Sequence, residues 1–386
     1  MSGETPTIAP SPPDPRPLRE LFRGWQWVVV AFVSSRLLIC AIMVLSRMVF
    51  KPSQYWQSGR LLSVFIQWDA SLWYLDIVRK GYTYSLVERT PMPFFPFYPL
   101  LVKGVSFIFH DVRIAGVLVA NACFIGAGLL FNALLNLDYA DARVNRTAAV
   151  FLMFSPYSFF FSCAYTESTF LVLAIGSLLA ARRGHWVLAC VLGMFLSGTR
   201  QVGLLIGLPL FIEYVLQHWR RGGSIWGVFH PRLLLFGLVP LGLGGYMLFS
   251  YIKFGDALAF ANVSKHAFER GFASPLVTLA TVELYSAFYD WLFIGVLVTS
   301  VLLLIGGIFL KVRVSYLAYA GLLTTTYLCS SSLEALPRYL SVEFVLFLVL
   351  GVVSTRFKWT YEPLLVATIG LLTLCTILFA TGFWIT

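Results

Sequence analysis

The sequence predicts an all-α polytopic membrane protein, and three observations carry that prediction. Of its 386 residues, 59% are hydrophobic and only 12% charged, with a mean hydropathy of +0.80. Soluble domains carry about twice that share of charge, so lipid is the expected solvent. Apolar runs of roughly 20 residues, enough to cross a bilayer as helix, recur along nearly the whole chain. The alternating segments of about ten residues that mark a membrane β-barrel do not occur.

Taken in order, residues 1–20 are Pro-rich and polar and read as a disordered cytoplasmic tail, with 21–386 as one transmembrane domain. The apolar run that follows is too long, and lacks the small-residue cleavage site, for a signal peptide. Arg16, Arg19 and Arg23 place this end in the cytoplasm. The first span covers about 24–46 and carries Arg36 near its middle. A charge there costs roughly 2.5–3.5 kcal/mol and demands a partner or a wet cavity. A large external loop, about 47–110, ends in Pro91, Pro93, Pro96 and Pro99, with amphipathic interfacial helices expected within it.

Further spans are expected at about 114–135, 147–164, 169–182, two around the polar break Gly198-Thr199-Arg200-Gln201, 233–251, 284–310, 315–329, 341–354 and 363–384. That gives about eleven, with a second external loop at about 253–283. The pairs Arg143/Arg146, Arg182/Arg183, Arg220/Arg221, Lys311/Arg313 and Arg356/Lys358 then mark cytoplasmic turns.

The net charge of +10 is spread singly and in pairs, with no basic block, which argues against nucleic acid. The six cysteines lie in apolar stretches without pair spacing and read as buried thiols. Two glycosylation sequons occur, at Asn145 in a cytoplasmic turn and at Asn262 in the second external loop. Gly242, Gly244 and Gly245 read as a close helix contact.

The chemistry concentrates in residues 67–99, the first sizeable polar excursion. Asp69 follows Trp68 just after a span, and Asp76 lies seven residues on, so a continuous helix would carry both acids on one face. Asp69 could be a reactive carboxylate or an interfacial acid pairing with Arg79 or Lys80. Glu167, Arg200, Lys265, His266 and Arg338 fall on the same side of the membrane in this threading.

Trp68-Asp69-Ala70, Gly81-Tyr82, Phe94-Phe95-Pro96, Tyr98-Pro99-Leu100, Tyr165-Thr166-Glu167-Ser168, Gly198-Thr199-Arg200, Phe254-Gly255-Asp256 and Pro337-Arg338-Tyr339 follow one another in order. This pattern resembles the PIG-V mannosyltransferase family of the GT-C membrane glycosyltransferases. The resemblance implies a GT-C-like fold and a polyprenyl-phosphate-mannose donor. It further implies a glycolipid acceptor, and Asp69 as the catalytic acid of the first external loop. Inverting transfer needs one base for the acceptor hydroxyl and positive charge for the departing phosphate, but no metal or cofactor. Trp68, Asp76, Glu167, Arg200, Lys265, His266, Arg338, Tyr339 and Arg36 are the expected substrate-binding residues. The expected setting is a monomer in a bacterial plasma membrane, or the endoplasmic reticulum of a eukaryote. A lipid-linked-sugar flippase and an inactive scaffold of the same family are the competing readings.

Overall fold

A computed structural model describes residues 17–51, 53, 61–220, 222–223, 228–281, 287–331 and 335–385. Most of the expected tail and Arg221 lie outside these residues. Among the described residues the chain is helical throughout, with one isolated bridge between Phe272 and Ser330. Five helices are long and apolar enough to cross a membrane: Trp25–Val49, Val112–Asp138, Gln201–Arg220, Phe288–Phe309 and Lys358–Ala380. The pair Pro231–Leu238 and Leu241–Phe254, bent by 47°, passes the same test only when taken together, as a broken span or a re-entrant loop. The protein is a multi-pass membrane protein of helices.

Several further helices are shorter than a bilayer needs. They include Ala142–Met153, Glu167–Arg182, Trp186–Ser197, Val314–Leu328 and Phe344–Arg356. The expected span at 147–164 is corrected here. Its helix ends at Met153 and the chain continues through turns into a 3₁₀ segment, Ser158–Ser162. Pro156 cannot continue the helix, and Arg36 satisfies the backbone so released. Its guanidinium donates to the carbonyls of Met153 (3.1 Å) and Ser158 (2.8 Å), to Ser162 Oγ (2.9 Å) and to Ser158 Oγ. It also lies 4.9 Å from the Phe124 ring. Broken helix inside a membrane is tolerated where neighbours re-satisfy its polar groups, and Arg36 does this here.

The core forms where Val112–Asp138 packs on Glu167–Arg182, and where Ala142–Met153 packs on Phe344–Arg356. Gly351 permits the second crossing, since a Cβ there would come within 2.8 Å of Ala148 Cβ. Of the Gly242–Gly245 cluster, only Gly242 is pressed against a neighbour; Gly244 and Gly245 face open space. Both sequons are structural asparagines. Asn145 is buried and donates to Asn136 (2.6 Å), and Asn262 donates to Asp256 (2.8 Å).

Two of the expected topology cations are instead buried. Arg182 reaches Asp138 at 2.7 Å, and Arg313 clasps Glu213 with two bonds of 2.7 and 2.8 Å. Tyr316 donates to Asp138 (2.8 Å) and Ser315 to Glu213 (3.0 Å), which closes a balanced cluster of two cations and two anions. Removing one member of such a cluster leaves a buried charge uncompensated. Arg313→Met should therefore lower unfolding free energy by roughly 3–5 kcal/mol. Lys311→Met, at an exposed neighbouring position, should stay within about 0.5 kcal/mol. Denaturation of both variants in detergent measures the contrast.

Candidate active site

Glu167 opens the helix Glu167–Arg182, and its side chain has no solvent exposure. An acid in a first helical turn is favoured by the unsatisfied N–H groups there. Two arginines converge on it from distant parts of the chain. Arg200 comes from the break after Trp186–Ser197, where the backbone is extended, and pairs with Glu167 while donating to Thr166 Oγ1 (2.9 Å). Arg338 comes from the short turn Leu336–Leu340 and approaches Glu167 at 3.3 Å. The same guanidinium lies 3.6 Å from the Asp69 carboxylate, so it bridges the two acids.

Asp69 is set by local backbone geometry. Trp68 before it has φ +58°, the left-handed region that costs a bulky residue roughly 1–2 kcal/mol. A π-helical turn, Ala70–Tyr74, follows it. The wider turn disrupts the seven-residue register that would have put Asp69 and Asp76 on one face. Asp76 instead pairs with Lys80 at 2.9 Å on the surface. The bland pairing of Asp69 with Arg79 or Lys80 does not form.

Asp69, Arg200, Arg338 and Tyr339 line a cavity of about 890 Å³, together with Tyr74, Phe94, Phe268, Lys265 and Arg270. Four cationic side chains thus face one lining carboxylate, with Glu167 directly behind. Arg200 Nη1 and Arg338 Nη1 are buried without a hydrogen-bond acceptor within reach among the described residues, Arg338 Nη1 standing 3.6 Å from Asp69. These donors suit an anion.

Electrostatics follow from burial and this crowd of guanidinium groups. Burial raises the Asp69 carboxyl above its ordinary range, against the opposing pull of Arg338 and Arg270. Burial would raise the Tyr339 phenol too, but Arg338, Arg270 and Arg200 together bring it below its usual value. Burial alone would lower Arg338, yet Glu167, Tyr339 and Asp69 hold it well above the ordinary arginine value. Tyr74 is pushed up to about 12 by burial, with Glu167 adding to the rise against the pull of Arg200 and Arg338.

The sequence-predicted residues divide accordingly. Asp69, Arg200, Lys265, Arg338 and Tyr339 line the cavity, and Glu167 supports it from behind. Arg36 lies apart, spent on the broken helix described above. His266 is exposed and does not line the cavity, because one helical step turns it away from Lys265. Trp68 packs edge-on against Trp384 instead of lining the cavity. Arg270 and Tyr74 were missed: Arg270 stands among the mixed charges of a loop, and Tyr74 within an aromatic-rich run.

A second, apolar groove of about 540 Å³ adjoins the first. Phe94, Phe95 and Thr199 line the cavity, while Pro96, Phe97 and Gly198 line the groove. The wall between them is closed by Phe97 N–H donating to the Gly198 carbonyl (3.1 Å). Lys103 is the one charged residue among those lining the groove.

The chain is 30% identical over 201 residues to GPI mannosyltransferase 2 of Drosophila pseudoobscura pseudoobscura, covering 47% of this chain and 42% of the relative. The resemblance to membrane mannosyltransferases is borne out. The chain thus matches less than half the length of that relative. No family model matches. Among solved structures it is similar to the oligosaccharyltransferase of Archaeoglobus fulgidus, with a TM-score of 0.44 and 12% identity, over 91% of this chain and 53% of that one.

The roles of the two lesser carboxylates can be separated by stability. Glu167→Gln strips two buried guanidinium groups of their shared counter-charge and should cost roughly 3–5 kcal/mol. Asp76→Asn breaks only a solvated pair and should cost less than about 1 kcal/mol. Equal melting temperatures for the two variants would contradict this division.

Proposed function

We propose that the protein is an inverting mannosyltransferase that moves a mannosyl group from a polyprenyl-phosphate sugar to a glycolipid acceptor at the extracytoplasmic face. One observation carries the proposal: a half-buried carboxylate, Asp69, beside buried arginine donors that are not fully satisfied, in a cavity with ample room for a sugar. The similarity to a GPI mannosyltransferase supports the sugar and the lipid character of the substrates.

In the proposed step the acceptor hydroxyl oxygen attacks C1 of the sugar as Asp69 takes its proton. The bond from C1 to the phosphate oxygen breaks on the opposite face, and polyprenyl phosphate leaves with the electron pair. It departs as an anion and needs fixed positive charge where that charge grows. Arg200 and Arg338 supply it, with Lys265 and Arg270 at the same cavity. Glu167 holds the two arginines rigid, so little reorganisation remains for the transition state. Tyr74, Phe94 and Phe268 supply the aromatic part of the lining that the sugar would meet.

The lipid tail would lie in the adjoining apolar groove and pass over the edge of the wall formed by Phe97 and Gly198 to its phosphate in the cavity. Gly245 lines that groove, and a Cβ there meets nothing within 4 Å. Gly245→Leu should therefore fill the groove without disturbing the helices. The expected result is a raised KM for a long polyprenyl donor and an unchanged KM for a donor of two or three isoprene units. An equal effect on both would remove the tail from this groove.

Asp69→Asn should lower kcat by at least about 10² with the fold intact. The base must be ionised to work. Because burial raises its pKa, activity should fall, as pH decreases, through a value above the usual aspartate range near 4. Turnover of labelled polyprenyl-phosphate-mannose across pH 4–8 measures both effects. Near-normal turnover of the Asn variant would exclude Asp69 as the base.

A further inference from the structure

The last described residues are folded back onto the segment that presents Asp69. The helix Tyr361–Ala380 ends in a Schellman motif: Gly382 N–H donates to the Phe379 carbonyl (3.1 Å) and Phe383 N–H to that of Leu378 (2.9 Å). Gly382 has φ +87°, which a glycine adopts without strain, and it reverses the chain. The reversal brings Trp384 edge-on to Trp68 at 4.9 Å and buries Ile385 completely.

Further bonds tie the same two regions. Gln67 Nε2 donates to the Phe379 carbonyl (2.7 Å), while the Gln67 carbonyl accepts from Tyr165 (3.1 Å). Ser53 donates through its N–H to Thr381 (2.9 Å) and through its hydroxyl to Gly382 (2.8 Å). Asp69 thus follows two residues, Gln67 and Trp68, that the end of the last long helix grips. Trp68 is the one in the left-handed backbone region. A strained conformation of that kind persists only when its surroundings over-determine it.

We propose that Trp384 is a positioning residue: its ring holds Trp68 in the left-handed conformation that points the next side chain, Asp69, at Arg338. This role rests on the reading of Asp69 as the base. Trp384 does not line the cavity and touches no reacting group. Its loss should act on the orientation of the carboxylate and leave the anion donors unchanged. A misplaced base costs rate more than binding.

The test is steady-state kinetics with labelled polyprenyl-phosphate-mannose and a glycolipid acceptor, on the full chain in detergent. Trp384→Ala should lower kcat by about tenfold or more with KM within about twofold, and Trp384→Phe, which keeps an edge-on ring, should recover most of it. Trp68→Gly frees the backbone but removes the ring anchor, so it should show a similar kcat loss on its own. In that background, Trp384→Ala should add less than about a further twofold, because the contact is already gone. A normal kcat in Trp384→Ala, or its full loss repeated in the Trp68→Gly background, would overturn the proposal. Should Trp384→Ala fail to fold, a normal kcat in Trp68→Gly alone would do so. Asp69→Asn keeps the two ideas apart: full turnover there removes the base, whereas an inactive Asn variant beside a fully active Trp384→Ala removes only the positioning role.

Discussion

One buried carboxylate shared by two arginines organises the cavity end of this protein. Glu167 has no contact with solvent, yet Arg200 and Arg338 both close on it. In a low-dielectric site a single guanidinium with a single carboxylate would be neutral. Two on one leave an excess of positive charge, fixed in place and partly unsatisfied. Asp69, whose carboxylate stands 3.6 Å from Arg338, cancels that charge when ionised, and the excess of the cavity comes from Lys265 and Arg270, which line it as well. The same arrangement therefore favours an anion and sets a carboxylate beside it.

The rest of the bundle can be read as what makes that arrangement possible. Glu167 and Arg182 stand at opposite ends of one helix, roughly 22 Å apart by its rise per residue. At the far end a second ionic cluster, Arg182 and Arg313 with Asp138 and Glu213, is balanced and hydrogen-bonded on nearly every side. The two clusters differ in one respect that matters. The first is closed on itself and holds helices together, while the second opens onto a cavity that adds Lys265 and Arg270. Arg36 is a third solution, a cation placed among carbonyls and hydroxyls to carry a break in a helix.

The proline-rich stretch from Pro91 to Pro99 separates two environments within a few residues. Phe94 and Phe95 turn toward the charged cavity, Pro96 and Phe97 toward the apolar groove. Proline fixes the backbone without needing a donor partner, so the wall can be thin and irregular beside a membrane. Aromatic contacts brace it on one side, with Trp73 stacked on Phe94 at 5.4 Å, and Phe97 stacks on Phe195 at 4.7 Å on the other. One compartment is lined by charge and the other almost wholly by apolar side chains.

The sequence by itself determined the solvent of this protein, its helical class and the polar stretches where chemistry gathers. These are properties of composition and period, which single residues carry wherever they fold. Trp68-Asp69 and Gly198-Thr199-Arg200 stood out because charge interrupts an apolar text. Only the tertiary structure decided which charges meet. Arg36, Arg182 and Arg313 looked like anchors or site residues from spacing alone, and each is consumed by a partner more than 40 residues away. The π-helical turn after Asp69 broke the register that would have paired it with Asp76. A carboxylate's role depends on what lies within a few ångströms, and in a bundle of broken helices that neighbourhood is assembled by packing between distant segments.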